Sequence, residues 1–416
     1  MELKPGYKLT EVGVIPEEWD VKALGEIGDS LIGLTYDPSE VRDYGTLVLR
    51  SSNIQNGALC FNDNVFVETD IPERIMVRPG DILVCVRNGS KDLIGKSALI
   101  DERAMGMAFG AFMAVFRSEY GGFLYYVFQS DIFRKQVDEH LGATINQITN
   151  KSLNSFKVPF PPTQTEQRAI AQALSDVDAL LAAQEQLIAK KRDLKQAAMQ
   201  QLLTGKTRLP GFSGEWAEKK LGDLITHCSS GATPRRNRPE FFQGDIKWIT
   251  SGELNYNTIT DTIEKISREA VAETNLKIHP IGTFLMAITG LEAEGTRGAC
   301  GIVGSPATTN QSCMAIFPTP ELATEYLFHY YVFNGNTLAF QYCQGTKQQS
   351  YTAGIVKQLP IKLPPTRDEQ IAIASALSDM DAEISALETR RDKTRQLKQA
   401  MMQELLTGKT RLIATS

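Results

Sequence analysis

The sequence repeats itself at one constant offset of 203 residues, and this repeat constrains the fold more than any other feature. The stretches that return almost unchanged are 161–170 as 364–373, 173–178 as 376–381, and 202–209 as 405–412. Because the offset is constant, no insertion interrupts the repeated segment. A duplication of this length indicates two copies of one structural unit in a pseudo-two-fold arrangement.

A long helix is predicted in each copy. Residues 167–204 and 370–407 contain no Pro or Gly, are rich in Ala, Leu, Gln, Lys and Glu, and precede Gly205 and Gly408. Glycine directly after a helical run is a common C-terminal cap. At about 1.5 Å per residue, about forty residues would form a helix of roughly 60 Å.

Side chains repeat along both helices at alternating spacings of three and four, apolar near the ends and polar near the middle. This pattern favours an antiparallel two-helix coiled coil over two separate amphipathic helices. Leu187, Leu194 and Leu397 lie just off the frame, which predicts a seam that drifts around the helix. The apolar side chains expected to pack between the helices are Leu174, Val177, Leu181, Ile188, Leu202, Leu377, Met380, Ile384, Leu387, Met401 and Leu405.

Mixed domains precede both helices. Runs typical of β-strands, bounded by Gly, Pro and Asn, occur at 46–49, 81–86, 112–116, 284–288 and 313–317. The two domains share a few anchors, such as Trp19 and Trp216, but diverge almost everywhere else. The helices kept their sequence while the domains did not. This division predicts one scaffold that presents two different surfaces.

The predicted fold class is therefore α+β, with two mixed α/β domains separated by two long antiparallel helices in a circular, pseudo-two-fold repeat. The linker 207–216 has a split counterpart, with 410–412 near one chain end and 7–19 near the other. We therefore expect the two ends to pack side by side. The predicted boundaries are 1–162 for the first domain, 163–208 for the first helical spacer, 209–365 for the second domain and 366–416 for the second spacer.

Composition limits the functional class. No run of eighteen or more apolar residues is present, so no transmembrane helix is expected. Six scattered cysteines without a Cys-x-x-Cys pair favour free thiols in a reducing cytoplasm. The net charge of −5 argues weakly against nucleic-acid binding, because phosphate neutralisation needs Lys and Arg. Basic residues clustered on one face, or supplied by a partner subunit, would answer that objection.

No catalytic pattern is visible. Gly205-Lys206-Thr207 resembles the end of a phosphate-binding loop, but Gln200 stands where that loop needs glycine, and a helix precedes it. The double proline in 160–163 lacks the neighbouring Asn or Asp, and the aromatic residue, of an amino-methyltransferase site. The four histidines have no spacing that suggests metal ligation. We therefore predict no enzyme activity and no metal site.

A double proline, Glu-Gln and a long helix ending Leu-Leu-Thr-Gly-Lys-Thr-Arg-Leu, duplicated behind two divergent domains, resemble the DNA-specificity subunit (HsdS) of type I restriction-modification systems. The resemblance covers the whole chain. It implies that each domain is a target-recognition domain reading one half of a bipartite, asymmetric site in double-stranded DNA. It also implies that the helices set the spacer and dock two methyltransferase subunits, which a restriction-translocase subunit can join. No cofactor is expected on this chain, since S-adenosylmethionine would be bound by the methyltransferase subunit.

Polar runs beside predicted strands are the candidates for DNA contact, because base edges are recognised by exposed donors and acceptors. Three such loops occur at corresponding places in each domain. A dense arginine cluster in the second domain is a candidate for phosphate binding. The candidate residues are Arg50, Ser52, Asn53, Arg87, Asn88, Lys91, Thr144, Asn146, Gln147, Arg235, Arg236, Arg238, Ser251, Arg297, Thr346, Lys347, Gln348, Gln349 and Tyr351.

Two alternatives stay open from the sequence. The chain could be the specificity subunit of a related system in which one partner polypeptide carries both restriction and methylation. It could also be a protein-interaction scaffold with two ligand-binding domains on a helical stalk. The negative net charge slightly favours the scaffold, whereas the duplicated polar loops argue against it. An enzyme is the least favoured reading.

Overall fold

The chain forms two units of similar make-up. The computed structural model describes residues 5–141, 146–293, 295–343 and 349–412. One unit comprises Met1–Glu185 with Arg390–Ser416, and the other comprises Gln186–Thr389. Each unit contains one mixed domain, the first half of one long helix and the second half of the other. We call the mixed domains domain 1 and domain 2.

The main sheet of domain 1 is covered on both faces, which explains its apolar strands. Along the strand Ile82–Cys85, Ile82 and Val84 join a core cluster formed with the helices. Leu83 and Cys85 join a second core cluster, formed with the second four-stranded sheet of the domain. Side chains of a strand alternate between faces, so a strand buried on both sides reads as a continuous apolar run.

The described residues of domain 1 form two four-stranded sheets, three two-stranded ones and several helices. Its main sheet is antiparallel and consists, from one edge to the other, of Ser97–Leu99, Ile82–Cys85, Met113–Arg117 and Asp29–Ile32. The second sheet consists, in the same sense, of Ala108–Phe109, Thr46–Leu49, Phe66–Val67 and Val41–Arg42. The two-stranded sheets pair Tyr7–Thr10 with Gly13–Pro16, Asp20–Ala23 with Lys157–Phe160, and Ile54–Gln55 with Ala58–Leu59. The helices are Leu24–Ile27, Gly121–Phe128, Asp131–Leu141 and Asn150–Ser155.

Domain 2 repeats this plan, but its sheets contain different numbers of strands. Its main sheet consists of Ile225–Ser230, Cys313–Pro318, Phe284–Ala287, Cys300–Val303 and Asn257–Ile259. A three-stranded sheet consists of Lys265–Ile266, Ile246–Ile249 and Ala307–Thr309, and Ala217–Lys220 pairs with Pro360–Leu363. The helices are Arg268–Glu273, Thr324–Tyr342 and Ala353–Gln358.

The two long helices begin and end in the same way. They span Gln164–Leu202, called long helix 1, and Arg367–Leu405, called long helix 2. The Oγ1 of Thr163 accepts a hydrogen bond from the Glu166 amide at 3.2 Å, which satisfies a free donor of the first turn. After the last turn, Gly205 and Gly408 adopt φ of +71° and +67°, a conformation that favours glycine. The predicted glycine caps are confirmed.

The heptad frame predicted from the sequence is observed in both helices. All eleven predicted seam residues are buried or partly buried. Leu187, Leu194 and Leu397 are 40%, 48% and 55% exposed, so the predicted drift of the seam is wrong. The frame's outer members also join the domain cores. Leu174 and Leu405 belong to the core cluster of domain 1, and Leu202 and Leu377 to that of domain 2, so these four extend the domain cores.

Polar contacts between the helices are duplicated with the sequence. In the first unit Lys398 pairs with Asp178 at 2.6 Å and Arg395 with Glu185 at 2.6 Å, while the buried Gln184 donates to Thr394. In the second unit the residues at the same repeat positions form the same ion pairs: Lys195 with Asp381, and Arg192 with Glu388. Both sets run antiparallel, as the coiled-coil prediction requires.

The expectation that the chain ends meet is confirmed. The hydroxyl of Tyr7 donates to the carbonyl of Gly408 at 3.1 Å. Arg411 pairs with Glu166, its Nη2 donating at 2.9 Å, and its Nη1 lies 3.3 Å from Glu18. At the corresponding place of the second unit, Arg208 pairs with Glu369. The split linker is therefore completed by both termini.

His329 predicts a measurable pH dependence of stability in the second unit. Its buried Nε2 lies 2.9 Å from the hydroxyl of Ser378, and burial lowers its pKa from 6.5 to about 4. The unfolded chain protonates this residue below pH 6.5, whereas the folded chain does so only near pH 4. Stability is therefore lost as the pH falls through this window, by about 3 kcal/mol in total.

The measurement is the unfolding midpoint of wild type and His329→Gln between about pH 7 and pH 4. Carboxylates titrate in both proteins, so the difference between the two curves isolates the histidine. We expect the wild-type midpoint to fall more steeply. Parallel curves would contradict the assignment.

Candidate nucleic-acid interface

The three polar loops predicted in domain 1 meet at one end of its main sheet. Arg87 follows the strand Ile82–Cys85 and forms a β-bridge with Gln147 of the third loop. Asn88 donates from Nδ2 to the hydroxyl of Ser51 in the first loop at 3.2 Å. The main chain and side chains thus place three segments that are distant in sequence along a single edge, which we call the loop edge.

Two loops that the sequence did not indicate complete the loop edge of domain 1. Leu34 forms a parallel β-bridge with Gly110, so the loop after Asp29–Ile32 lies against the loop before Met113–Arg117. A Cβ at Gly33 would stand 2.1 Å from the carbonyl oxygen of Gly110. Only glycine allows this approach of two backbones.

Phe112 is the most prominent side chain that sequence reasoning missed. It is 57% exposed, and the guanidinium carbon of Arg87 lies 5.0 Å from its ring centroid. The sequence placed Phe112 inside a strand, whereas the strand begins at Met113. A solvated aromatic ring beside an arginine can stack on a nucleobase.

Domain 2 builds the same edge with other residues. Thr289 bridges to Ser350, and the amide of Ala232 donates to the carbonyl of Thr309 at 3.1 Å. Gly231 is the counterpart of the close glycine in domain 1, since its Cβ would stand 1.8 Å from that same carbonyl oxygen. The hydroxyl of Thr233 donates to the side chain of Gln311. The scaffold of the edge is therefore repeated while its side chains differ.

Two candidate residues are corrected by their burial. Asn53 is fully buried; its Oδ1 accepts from the Arg50 amide at 2.9 Å and its Nδ2 donates to the Cys60 carbonyl at 3.0 Å. It therefore caps a turn and cannot reach a base. Tyr351 is 3% exposed, and burial raises the pKa of its hydroxyl. It belongs to the core of domain 2.

The arginine cluster of domain 2 is a third correction. Arg236 forms two hydrogen bonds to Glu264, which raise the pKa of the guanidinium and lower that of the carboxyl group. Four carboxylates surround the three guanidinium groups, so the cluster presents no net positive charge for a phosphate. The remaining ion pairs are Arg235 with Glu273, and Arg238 with Glu240, Glu269 and Glu273.

The other candidates differ in accessibility. Arg297 donates to the carbonyls of Leu291 and Glu292, so it holds its own loop together. Outside the arginine cluster, the exposed candidates in the described residues are Arg87, Asn146 and Gln147, and the partly exposed ones are Arg50, Ser52, Asn88, Lys91, Ser251, Arg297 and Gln349. Thr144, Thr346, Lys347 and Gln348 lie outside the described residues. DNA contact by the accessible residues stays a prediction.

Other kinds of site find no support in the described ranges. There, no group of three or more His, Cys, Asp or Glu side chains is placed to hold a metal ion. Among the same residues, no helix combines the length and the hydropathy that crossing a bilayer requires. The six cysteines are free thiols.

The sequence matches a known family twice. The profile of the type I restriction modification DNA specificity domain fits residues 16–190 and again 213–398. The chain is 30% identical over 207 residues to the specificity subunit of the type I restriction enzyme EcoKI from Escherichia coli strain K12, which covers 47% of this chain and 44% of that protein. The chain spans about half the length of the curated relatives it matches.

Solved structures share the fold over nearly the whole chain. The S subunit of a type I restriction-modification system from M. genitalium superposes with a TM-score of 0.59 at 15% identity, covering 97% of this chain and 99% of that one. A chain from a type I R-M system, solved to explain complex assembly and conformational transition, gives a TM-score of 0.56 at 17% identity, covering 95% and 99%. These likenesses confirm the predicted fold class. With the profile matched in both halves, the chain belongs to the family of type I restriction modification DNA specificity domains.

Proposed function

We propose that the chain is the non-catalytic DNA-recognition subunit of a type I restriction-modification complex. The observation that carries this proposal is the loop edge, which both domains build on the same backbone contacts with different side chains. Two domains with one scaffold and two surfaces suit a bipartite, asymmetric site. Accessible donors and acceptors such as Arg87, Asn146 and Gln147 are the groups that base edges require.

The parts of the chain take separate roles in this proposal. Segments 1–162 and 209–365 act as target-recognition domains, and segments 163–208 and 366–416 act as helical spacers. The helices pair through contacts that are the same in both units, which supports a fixed gap between the two half-sites. Lengthening the helices by about one turn of B-DNA should widen the gap and leave the half-sites unchanged.

The spacer helices also dock two methyltransferase subunits, and a restriction-translocase subunit can join that assembly. Leu187 and Leu194 support this role, since these exposed apolar side chains stand seven residues apart on one face of long helix 1, where a partner can bury both. Those methyltransferase subunits would bind S-adenosylmethionine, so this chain needs no cofactor. They would also supply cationic surface that a chain of net charge −5 lacks. Six free thiols suit a cytoplasmic complex.

Sequencing the methylated adenines of the host genome tests the proposal directly. We expect a two-part motif with a fixed, non-specific gap, and expect it to disappear when the gene for this chain is deleted. Restoring the gene should restore the motif. A continuous motif, or a two-part motif that survives the deletion, would contradict the proposal.

The alternatives have their own tests. A related two-subunit system would place restriction and methylation in one neighbouring coding region. A scaffold without DNA specificity would pull down its partners but enrich no sequence from a duplex library. Methyl transfer by the isolated chain would show that it is itself an enzyme.

A further inference from the structure

An open cavity interrupts the loop edge of domain 1. It has a volume of about 470 Å³ and lies between the loops that contain Thr35, Arg50 and Phe112. Sites that hold a small organic group occupy roughly 300–1,000 Å³, so the cavity is large enough for one. Its floor is apolar, because Leu34 and Met113 are buried beneath it.

One wall of the cavity carries a charged pair. Arg50 donates from Nη2 to Asp63 at 2.9 Å, and both side chains remain partly exposed. Tyr36 and Phe112 add aromatic rings to the lining. A guanidinium, a carboxylate and aromatic rings over an apolar floor are the groups that recognise a nucleobase by its edge and its face.

In domain 2 a side chain spans the place that is equivalent to the cavity of domain 1. Gly110 and Asn310 are equivalent, because their amides donate to the carbonyls of Leu49 and Ile249 in matching strands. The next residues are therefore also equivalent, Ala111 in domain 1 and Gln311 in domain 2. In domain 2 the Gln311 side chain accepts a hydrogen bond from Thr233 across the gap.

The loop on the opposite side of the cavity has an equivalent in domain 2 that is identified in the same way. The amides of Leu34 and Ala232 donate to the carbonyls of Phe109 and Thr309, so Thr35 is the counterpart of Thr233. Both domains thus keep a threonine on this side. The small side chain of Ala111 leaves the space open in domain 1.

We infer that the domain 1 cavity takes one nucleobase of the half-site and that Ala111 keeps it open. The cavity is then a determinant of specificity whose equivalent place in domain 2 is spanned by the Gln311 side chain. The inference rests on the proposed function. It adds a position that binds a base and a residue, Ala111, that controls access to this position. The pattern of polar loops in the sequence could identify neither of them.

Ala111→Gln is the direct test, because domain 2 already accommodates glutamine at this place. Ala111 is exposed, so the longer side chain can be added without disturbing the core. Wild type and variant, each assembled with its methyltransferase partner, select duplexes from a randomised library. We expect the variant to lose preference at one base pair of one half-site, by about 10-fold or more. The other half-site should be unchanged.

Two matched variants serve as controls. Ala111→Ser keeps the cavity open and should select the wild-type motif. Gln311→Ala changes only domain 2 and should leave the affected position of the domain 1 half-site intact. Unfolding midpoints of all variants should lie within the range of ordinary surface substitutions.

The base can enter the cavity fully or present only its edge, and 2-aminopurine at the affected position distinguishes these cases. A rise in fluorescence on binding indicates an unstacked base, and an unchanged signal indicates a stacked one. In either case Ala111→Gln must remove the preference. If Ala111→Gln selects the complete wild-type motif, the inference is overturned. If the wild-type complex selects no motif at all, the proposed function itself fails.

Discussion

Replacing Glu369 with alanine is expected to destabilise the second unit by about 3–5 kcal/mol, because the change leaves a partly buried guanidinium without its counter-charge. Glu369 is completely buried and accepts two hydrogen bonds from Arg208. Arg208 also donates to the carbonyls of Ser213 and Gly214, so the ion pair holds the linker against the start of long helix 2. Chemical unfolding followed by tryptophan fluorescence and by circular dichroism measures the loss.

The sequence repeat and the surface provide controls for this experiment. Glu166→Ala removes the equivalent carboxylate in the first unit, where it pairs with Arg411, and should cost a similar amount. Glu139→Ala removes an exposed i,i+4 partner of Lys135 and should cost well under about 1 kcal/mol. If Glu369→Ala were no worse than Glu139→Ala, the proposed role of the buried pair would be wrong.

These ion pairs illustrate what the sequence could and could not predict. The repeated Thr-Arg-Leu and Glu-Gln motifs were visible in the sequence, and the circular phase of the repeat correctly implied that the ends meet. The contact itself was not predictable, because Arg411 and Glu166 are 245 residues apart and no local rule pairs them. Periodicity predicts which face of a helix is buried, but it does not identify distant partners.

The loop edge was predicted less completely than the helices, for a similar reason. Strands alternate and helices repeat, so Ile82–Cys85 and the long helices could be located from pattern alone. Loops have no period. Asn53 is of a residue type that often contacts bases, yet it caps a turn. Phe112 is of a type that is common in strands, yet it faces solvent. Glu253, which caps the equivalent turn in domain 2, was the one hint that position 53 is structural.

The largest functional effect is expected from lengthening both long helices. Three extra copies of the heptad 184–190 in long helix 1, and of 387–393 in long helix 2, keep the seam in frame. They add about 31 Å, close to one turn of B-DNA at about 34–36 Å. Under the proposed function, the half-sites stay the same and the gap grows by about nine base pairs. Affinity for the original site should fall by at least about 10³-fold, towards the non-specific level.

A variant with one extra heptad in each helix provides the matched control for rotation. It adds about 10 Å, roughly three base pairs, which turns the second half-site away from the side that domain 2 would face. We therefore expect this control to bind tightly neither to the site with the original gap nor to sites with longer gaps. Its helix content should still rise, as in the three-heptad variant. Fluorescence anisotropy of the assembled complex, on duplexes whose gaps increase by single base pairs, measures both variants. If the three-heptad variant still prefers the original gap, the helices do not set the spacing, and another part of the complex must do so.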